Sequence, residues 1–219
     1  MALTYDTKAQ KVAATNPVVL SYTCGANAKV LVVGLVVNSL FIRSEDDPTV
    51  TYNGVAMTAV SRQAAATEVT AELWYLINPL TGAAYNISIP NDNSSNIRVI
   101  ASSYISSGDV SLDVSSAEKG TTANPSRSVT TTVDGDAIVD IMASSLDTAE
   151  TGNNRTLLYS NDEGNWNSAS QYALQATLGA ITFTHTIAAA NWGHIVAAFK
   201  ETITAVTTFI PWIGEDLPH

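Results

Sequence analysis

Apolar and polar residues alternate along most of this 219-residue chain, while apolar residues at helical spacing are nearly missing. Successive side chains of a strand point to opposite faces, so a period of two turns one set toward a core and the other toward water. Runs of Thr, Ser, Val and Ile, parted by clusters of Gly, Asn, Asp and Ser, therefore predict strands joined by turns. The candidate strands are 17–24, 29–38, 49–52, 55–62, 68–77, 84–89, 97–105, 128–133, 137–145, 156–160, 170–177, 181–188 and 194–203.

Three stretches sharpen this reading. In GAITFTHTIA, Ile181, Phe183, His185 and Ile187 share one face and Thr182, Thr184 and Thr186 the other, the pattern of an outer strand in a two-layer structure. KVLVVGLVV is apolar on both faces, which predicts a strand covered on one side by a second sheet and on the other by a loop, a terminal arm or a neighbouring subunit. Asn53-Gly54 predicts a tight hairpin, because a type I′ turn needs positive φ at both central residues.

The polar stretch AEKGTTANPSRS, residues 117–128, could separate two immunoglobulin-sized domains. The half that follows holds only about five confident strands, few for an independent closed core. The expectation is an all-β, two-sheet antiparallel sandwich over residues 17–203, with an N-terminal arm at 1–16 and an extended C-terminal arm at 204–219.

Charge and cysteine content narrow the function. Ten Lys and Arg against twenty Asp and Glu give a net charge of -10, which opposes direct binding to nucleic acid or to an anionic membrane surface. The single cysteine, Cys24, lies in a β-like run and reads as a buried thiol, without a disulfide or a multi-cysteine metal site. The first sixteen residues lack an apolar core of signal-peptide length, and VLVVGLVV is too short to span a bilayer. Synthesis in a cytoplasm without an export signal is expected.

Motifs for chemistry are sparse. His185, His194 and His219 show no spacing that places two ligands on one metal, so neither metal nor cofactor is expected, and His185 reads as a hydrogen-bonded core or interface residue. No carboxylate can be paired with a histidine from sequence, and no G-x-S-x-G elbow occurs, so no catalytic residue is assigned. Glu68, Glu72, Asp140 and Glu201 fall inside candidate strands and are the carboxylates a glycosidase cleft would use, although Glu72 and Glu201 also fit solvent-facing positions. Asp134 and Asp136 flank Gly135 on a turn that lacks the remaining ligands of a calcium loop. Adjacent Trp74 and Tyr75 point to opposite faces, so only one is expected in a core. Trp166, in DEGNWNSAS, is expected in a loop, as a plug or as a stacking contact for a glycan.

The succession VTYNGVAMTAV, AELWYLINPLTGAAYNISI, IRVIASSYISSGDV and ITFTHTIAAANWGHIVAAFKE resembles a recurrent jelly-roll-like β-sandwich module of virion structural proteins in tailed bacteriophages and of some bacterial surface proteins. The likeness covers about Thr49 to Lys200 and rests on structural punctuation: the Tyr52 to Val55 hairpin, the Asn78-Pro79 turn with Gly82, and the strand after Trp192. It implies a non-enzymatic virion protein, of the capsid decoration or auxiliary type, with the major capsid protein or other virion subunits as partners and homo-oligomers expected. The alternative it implies is a receptor- or carbohydrate-binding module of a tail or cell surface. Phe209, Ile210, Pro211, Trp212, Ile213 and Leu217 beyond the last strand are then the interface candidates, since Pro211 and Pro218 keep the arm extended and its apolar side chains gain by burial. Covering the molecule's own doubly apolar strand is the other use open to that arm.

Overall fold

The computed structural model describes residues 2–38, 49–65, 69–91, 96–145, 155–163 and 166–202; the arm residues 204–219, with all six interface candidates, lie outside them, as do Glu68 and His219. The described residues form sixteen strands and no helix, and every strand pairing is antiparallel. The chain is all-β, built as a sandwich of packed antiparallel sheets.

The first nine strands are β1 (Thr4–Ala13), β2 (Val18–Thr23), β3 (Ala28–Asn38), β4 (Thr51–Tyr52), β5 (Val55–Ala56), β6 (Thr58–Ala65), β7 (Val69–Ile77), β8 (Ala84–Ile89) and β9 (Asn96–Ile105). They make a five-stranded sheet in the order β1-β9-β3-β7-β6 and a four-stranded sheet in the order β2-β8-β4-β5. Asn53 (φ 49) and Gly54 (φ 78) close the β4-β5 hairpin with Tyr52 opposite Val55, as the Asn-Gly pair predicts. The remaining strands are β10 (Asp109–Gly120), β11 (Ser126–Thr130), β12 (Asp136–Ser144), β13 (Thr156–Glu163), β14 (Trp166–Gln175), β15 (Ala180–Thr184) and β16 (Trp192–Thr202). They form a second five-stranded sheet, β10-β16-β12-β14-β13, and a two-stranded sheet, β11-β15.

The two orders are the same order. Replacing β1, β9, β3, β7 and β6 by β10, β16, β12, β14 and β13 turns the first large sheet into the second, and β2-β8 corresponds to β11-β15. Each half of the chain thus repeats the strand order of a jelly roll, a large sheet faced by a smaller one. The organisation differs from one sandwich over 17–203 in two ways. The N-terminal segment expected as an arm supplies β1, an edge strand of the first large sheet. The stretch 117–128, taken as a possible boundary, runs from β10 into β11 inside the second half, and the halves meet at the short link between Ile105 and Asp109.

The two large sheets pack face to face. Val30, Val32 and Val36 of β3, Leu73 of β7, Ile141 of β12 and Phe199 of β16 belong to one central core. The outer face of each large sheet is covered by its own small sheet: Leu31, Val33, Leu35 and Val37 pack with Leu20, Tyr52, Ile87 and Ile89, and Ile138, Val196 and Ala198 pack with Val129, Ile181 and Phe183. This four-layer order explains why β3 is apolar on both faces, and it corrects the expectation for Trp74 and Tyr75. Trp74 packs on the outer core and Tyr75 on the central one, with its ring 5.4 Å from Phe199, because both faces of the sheet are interior.

The two sheets approach closely at Gly34 of β3, where a Cβ would stand 3.0 Å from Ile141 Cδ1. Gly34→Val is expected to destabilise the fold by about 1–3 kcal/mol through overpacking, with part of the loss recovered by adding Ile141→Val. Denaturant unfolding of the single and double variants measures both; additive losses would show that these two side chains do not share the contact.

Candidate functional site

Three polar side chains from distant parts of the sequence meet under the small sheet of the second half. Asp140 comes from the middle of β12, His194 from the neighbouring β16, and His185 stands one residue past β15, continuing its buried face. All three are 0% exposed. His185 Nε2 lies 2.5 Å and His194 Nε2 3.0 Å from the same oxygen, Asp140 Oδ2, and the imidazoles meet edge to face with centroids 4.8 Å apart. The other carboxylate oxygen, Oδ1, accepts the Gln171 backbone N–H at 2.5 Å, and the Ser170 hydroxyl donates to the Asp140 carbonyl at 2.6 Å. The Gln171 side-chain Nε2 lies 3.2 Å from His185 Nε2.

Burial alone would push the Asp140 carboxyl up; the charge and hydrogen bonds of His185 and His194 outweigh it and hold the group below its ordinary range. Burial and the neighbouring His185 hold His194 below the usual histidine value, against the pull of Asp140. An ionised carboxylate only accepts, so both Nε2 atoms carry their protons toward it. His194 Nδ1 is buried with no hydrogen-bond partner.

The duplicated strand order shows what this cluster replaces. In the first half Val33, Leu35 and Val37 of β3 stand opposite Ala101, Val99 and Ile97 of β9. In the second half Ile138, Asp140 and Met142 of β12 stand opposite Ala198, Val196 and His194 of β16. By the duplicated strand order Asp140 and His194 correspond to Leu35 and Ile97, and His185, one residue past β15, corresponds to Ile89, the last residue of β8. One outer core is wholly apolar at this level; the other holds a carboxylate and two imidazoles. As ligands the three residues are one oxygen and two nitrogen donors, all within 4.8 Å of one another, a set able to hold a metal ion.

A second charged cluster sits at the start of β12. The turn residue Asp134 accepts the Leu178 backbone N–H at 2.6 Å, while the fully buried Asp136 finds no donor for either oxygen. Lys200 Nζ lies 2.9 Å from Asp113 Oδ1. Burial would raise Asp113, but Thr132 and Lys200 together bring it down to about 2; burial, then Asp113, pushes Asp136 up to about 7. Asp136 also lines a cavity of about 210 Å³ beside Leu3, Gly135, Leu174 and Gln175.

The other carboxylates singled out by sequence do not converge. Glu72, expected to face solvent, is buried against the Trp74 indole N–H (2.9 Å) and Arg62 (3.5 Å), because its sheet face is interior. Glu201, near the end of β16, accepts from the Ser107 hydroxyl. Trp166 opens β14 where a loop was expected, and its ring lies under Arg98 of β9, 4.4 Å from the guanidinium, which also donates to Ser168. With 5% exposure it fills the central core. Cys24 is buried as expected, and burial pushes its thiol up to about 11.

Against this geometry, no family model, curated protein or solved structure matches the chain.

Two outcomes test these assignments. A folded state that keeps Asp136 protonated binds more protons than the unfolded chain between about pH 4 and the folded value near 7, so stability falls as pH rises through that window. Asp113, Asp134 and Lys200 are the charges that act on it. Asp136→Asn should therefore flatten the fall and exceed the parent in stability at about pH 8, as read by denaturant melts across pH; an unchanged slope would refute the assignment. Trp166→Ala should lower unfolding free energy by about 3–5 kcal/mol, the range for a large buried aromatic.

Proposed function

We propose that this chain is a non-enzymatic structural subunit of a virion, a capsid decoration or auxiliary head protein that joins the major capsid protein or other virion subunits and its own copies. The observation that carries the non-enzymatic reading is the closure of the most reaction-like constellation: Asp140, His185 and His194 are fully buried beneath β15, where no substrate reaches them. Binding and hydrolysis both need an open cleft with convergent groups. Glu72, Glu201, Asp113 and Lys200 are engaged with separate partners.

The assembly reading draws on the resemblance and on the sheet stack. Both faces of β3 are already covered by neighbouring sheets, so the apolar segment 209–217 is not needed to shield it. That favours docking of Phe209, Ile210, Trp212 and Ile213 on another chain, where each side chain contributes about 1.5–3 kcal/mol on burial before the ordering cost of the arm. Multiple copies on one particle would add their attachments. The glycan-binding alternative required an accessible Trp166, and that ring belongs to the central core.

The test is deletion of residues 208–219, followed by a melt and by incorporation into particles. Retained cooperative unfolding with loss of incorporation is expected. Full incorporation of the truncated chain would remove the arm from the proposal.

A further inference from the structure

We propose that Asp140, His185 and His194 bind a divalent transition-metal ion of the zinc type, held through one carboxylate oxygen and two imidazole nitrogens between the second large sheet and its cover. The inference is independent of any role in a virion.

The first argument is the comparison within the chain. The same fold level is built in the first half from Leu35, Ile89 and Ile97, which pack without polar atoms. The second half places three ionisable side chains there and gives them no contact with water. A buried carboxylate is tolerated only when it is paired and hydrogen-bonded or bound to a metal. The fold does not require polar residues at this level, and two imidazoles converging on one carboxylate oxygen make a metal-donor set that packing alone does not call for.

The second argument is donor chemistry. One oxygen and two borderline nitrogen donors suit zinc and its neighbours, whereas calcium and magnesium take sets made of oxygen. The donors come from three separate backbone segments, two of them adjacent strands held by the ladder of β12 and β16, so the set is fixed by the fold. Donors on one tetrahedral ion stand about 3.3 Å apart, given bonds near 2.0–2.1 Å. The contacts to Asp140 Oδ2 are 2.5 and 3.0 Å, so admission of an ion needs each imidazole nitrogen to draw back from that oxygen by less than about 1 Å.

The third argument is the unpartnered nitrogen. No hydrogen bond ties His194 Nδ1, so the ring is oriented only through Nε2 and can shift to present that atom to an ion without breaking a bond on its far side. Each imidazole must offer an unprotonated Nε2, so its proton passes to Nδ1 or to solvent. The Gln171 side chain, beside His185, is the polar group next to the set.

The experiment uses the full chain. It is stripped with chelator and refolded with Co²⁺ or Zn²⁺, and the metals are also added to the folded protein, so that closure of the site cannot hide binding. About one equivalent of metal per chain is expected by elemental analysis, with the visible absorption of a low-symmetry Co²⁺ site and a raised melting temperature. Asp140→Asn should weaken binding at least about tenfold. Because that variant could lose its fold, the second is Asp140→Leu with His185→Ile and His194→Ile, which copies the apolar layer of the first half; it should fold and take up no metal. Absence of metal after both routes, a melting temperature indifferent to Co²⁺, Zn²⁺ and chelator, or retention of metal by the folded triple variant would each overturn the proposal.

Discussion

Face-to-face packing of the two large sheets is the constraint on which the architecture depends. It places Gly34 against Ile141 and Tyr75 against Phe199, and it obliges both sheets to be apolar on the inner face. A sheet buried on one face still needs water or a cover on the other. Here each receives a small sheet, so the central strands β3, β12 and β16 are interior on both sides and almost every residue in them is buried. The price of that design is that any polar side chain in these strands must find its partners inside the protein.

Arg98 and Asp140 are the two clearest cases, and they are handled differently. Arg98 points into the central core, where the Trp166 and Tyr159 rings face its guanidinium and the Ser168 hydroxyl accepts a hydrogen bond. Aromatic faces attract a desolvated cation without themselves carrying charge. Asp140 points the other way, into the outer core, and is met by two imidazoles and a backbone N–H. Anion and cation therefore lie on opposite faces of the second large sheet, each satisfied within its own layer. Because the halves share a strand order, Leu35 and Ile97 show that an apolar solution to the outer layer was available in the same geometry.

How far the sequence could be read follows from the same layering. The strand 84–89 and the buried face of Ile181, Phe183, His185 and Ile187 were legible, because a cover strand has one wet face and alternates cleanly. The double coverage of β3 was legible too, though not what covers it. The first strand of each half, β1 and β10, was missed for one reason: both are sheet edges, partly exposed, with Lys8, Lys11, Glu118 and Lys119 breaking the apolar pattern. Losing those two strands hid the repeat, since each is the edge strand with which its large sheet begins. The Asp140 cluster was out of reach for another reason. Its members are separated by 45 and 54 positions and are joined only by the pairing of β12 with β16 and the return of β15 across the sheet.

The stack also limits how the molecule can meet others. Sheet faces are the usual surfaces for burying apolar area, and the central strands of the large sheets, β3, β12 and β16, have almost none left uncovered. The edges are guarded: Lys8 reaches from β1 to the Leu158 carbonyl of β13 at 2.6 Å, and Lys11 to the Val19 carbonyl at 2.6 Å. Lysines on an edge strand oppose pairing with another sheet, because adding a strand there would have to displace or desolvate them. Among the described residues the large exposed apolar side chains are Val12, Val55, Leu80, Leu157, Leu174 and Leu178, spread over several strands and loops. A folded body with closed central faces and charged edges gains little by docking through its sheets, which is why the proposal places attachment in a separate apolar segment and not in the sandwich.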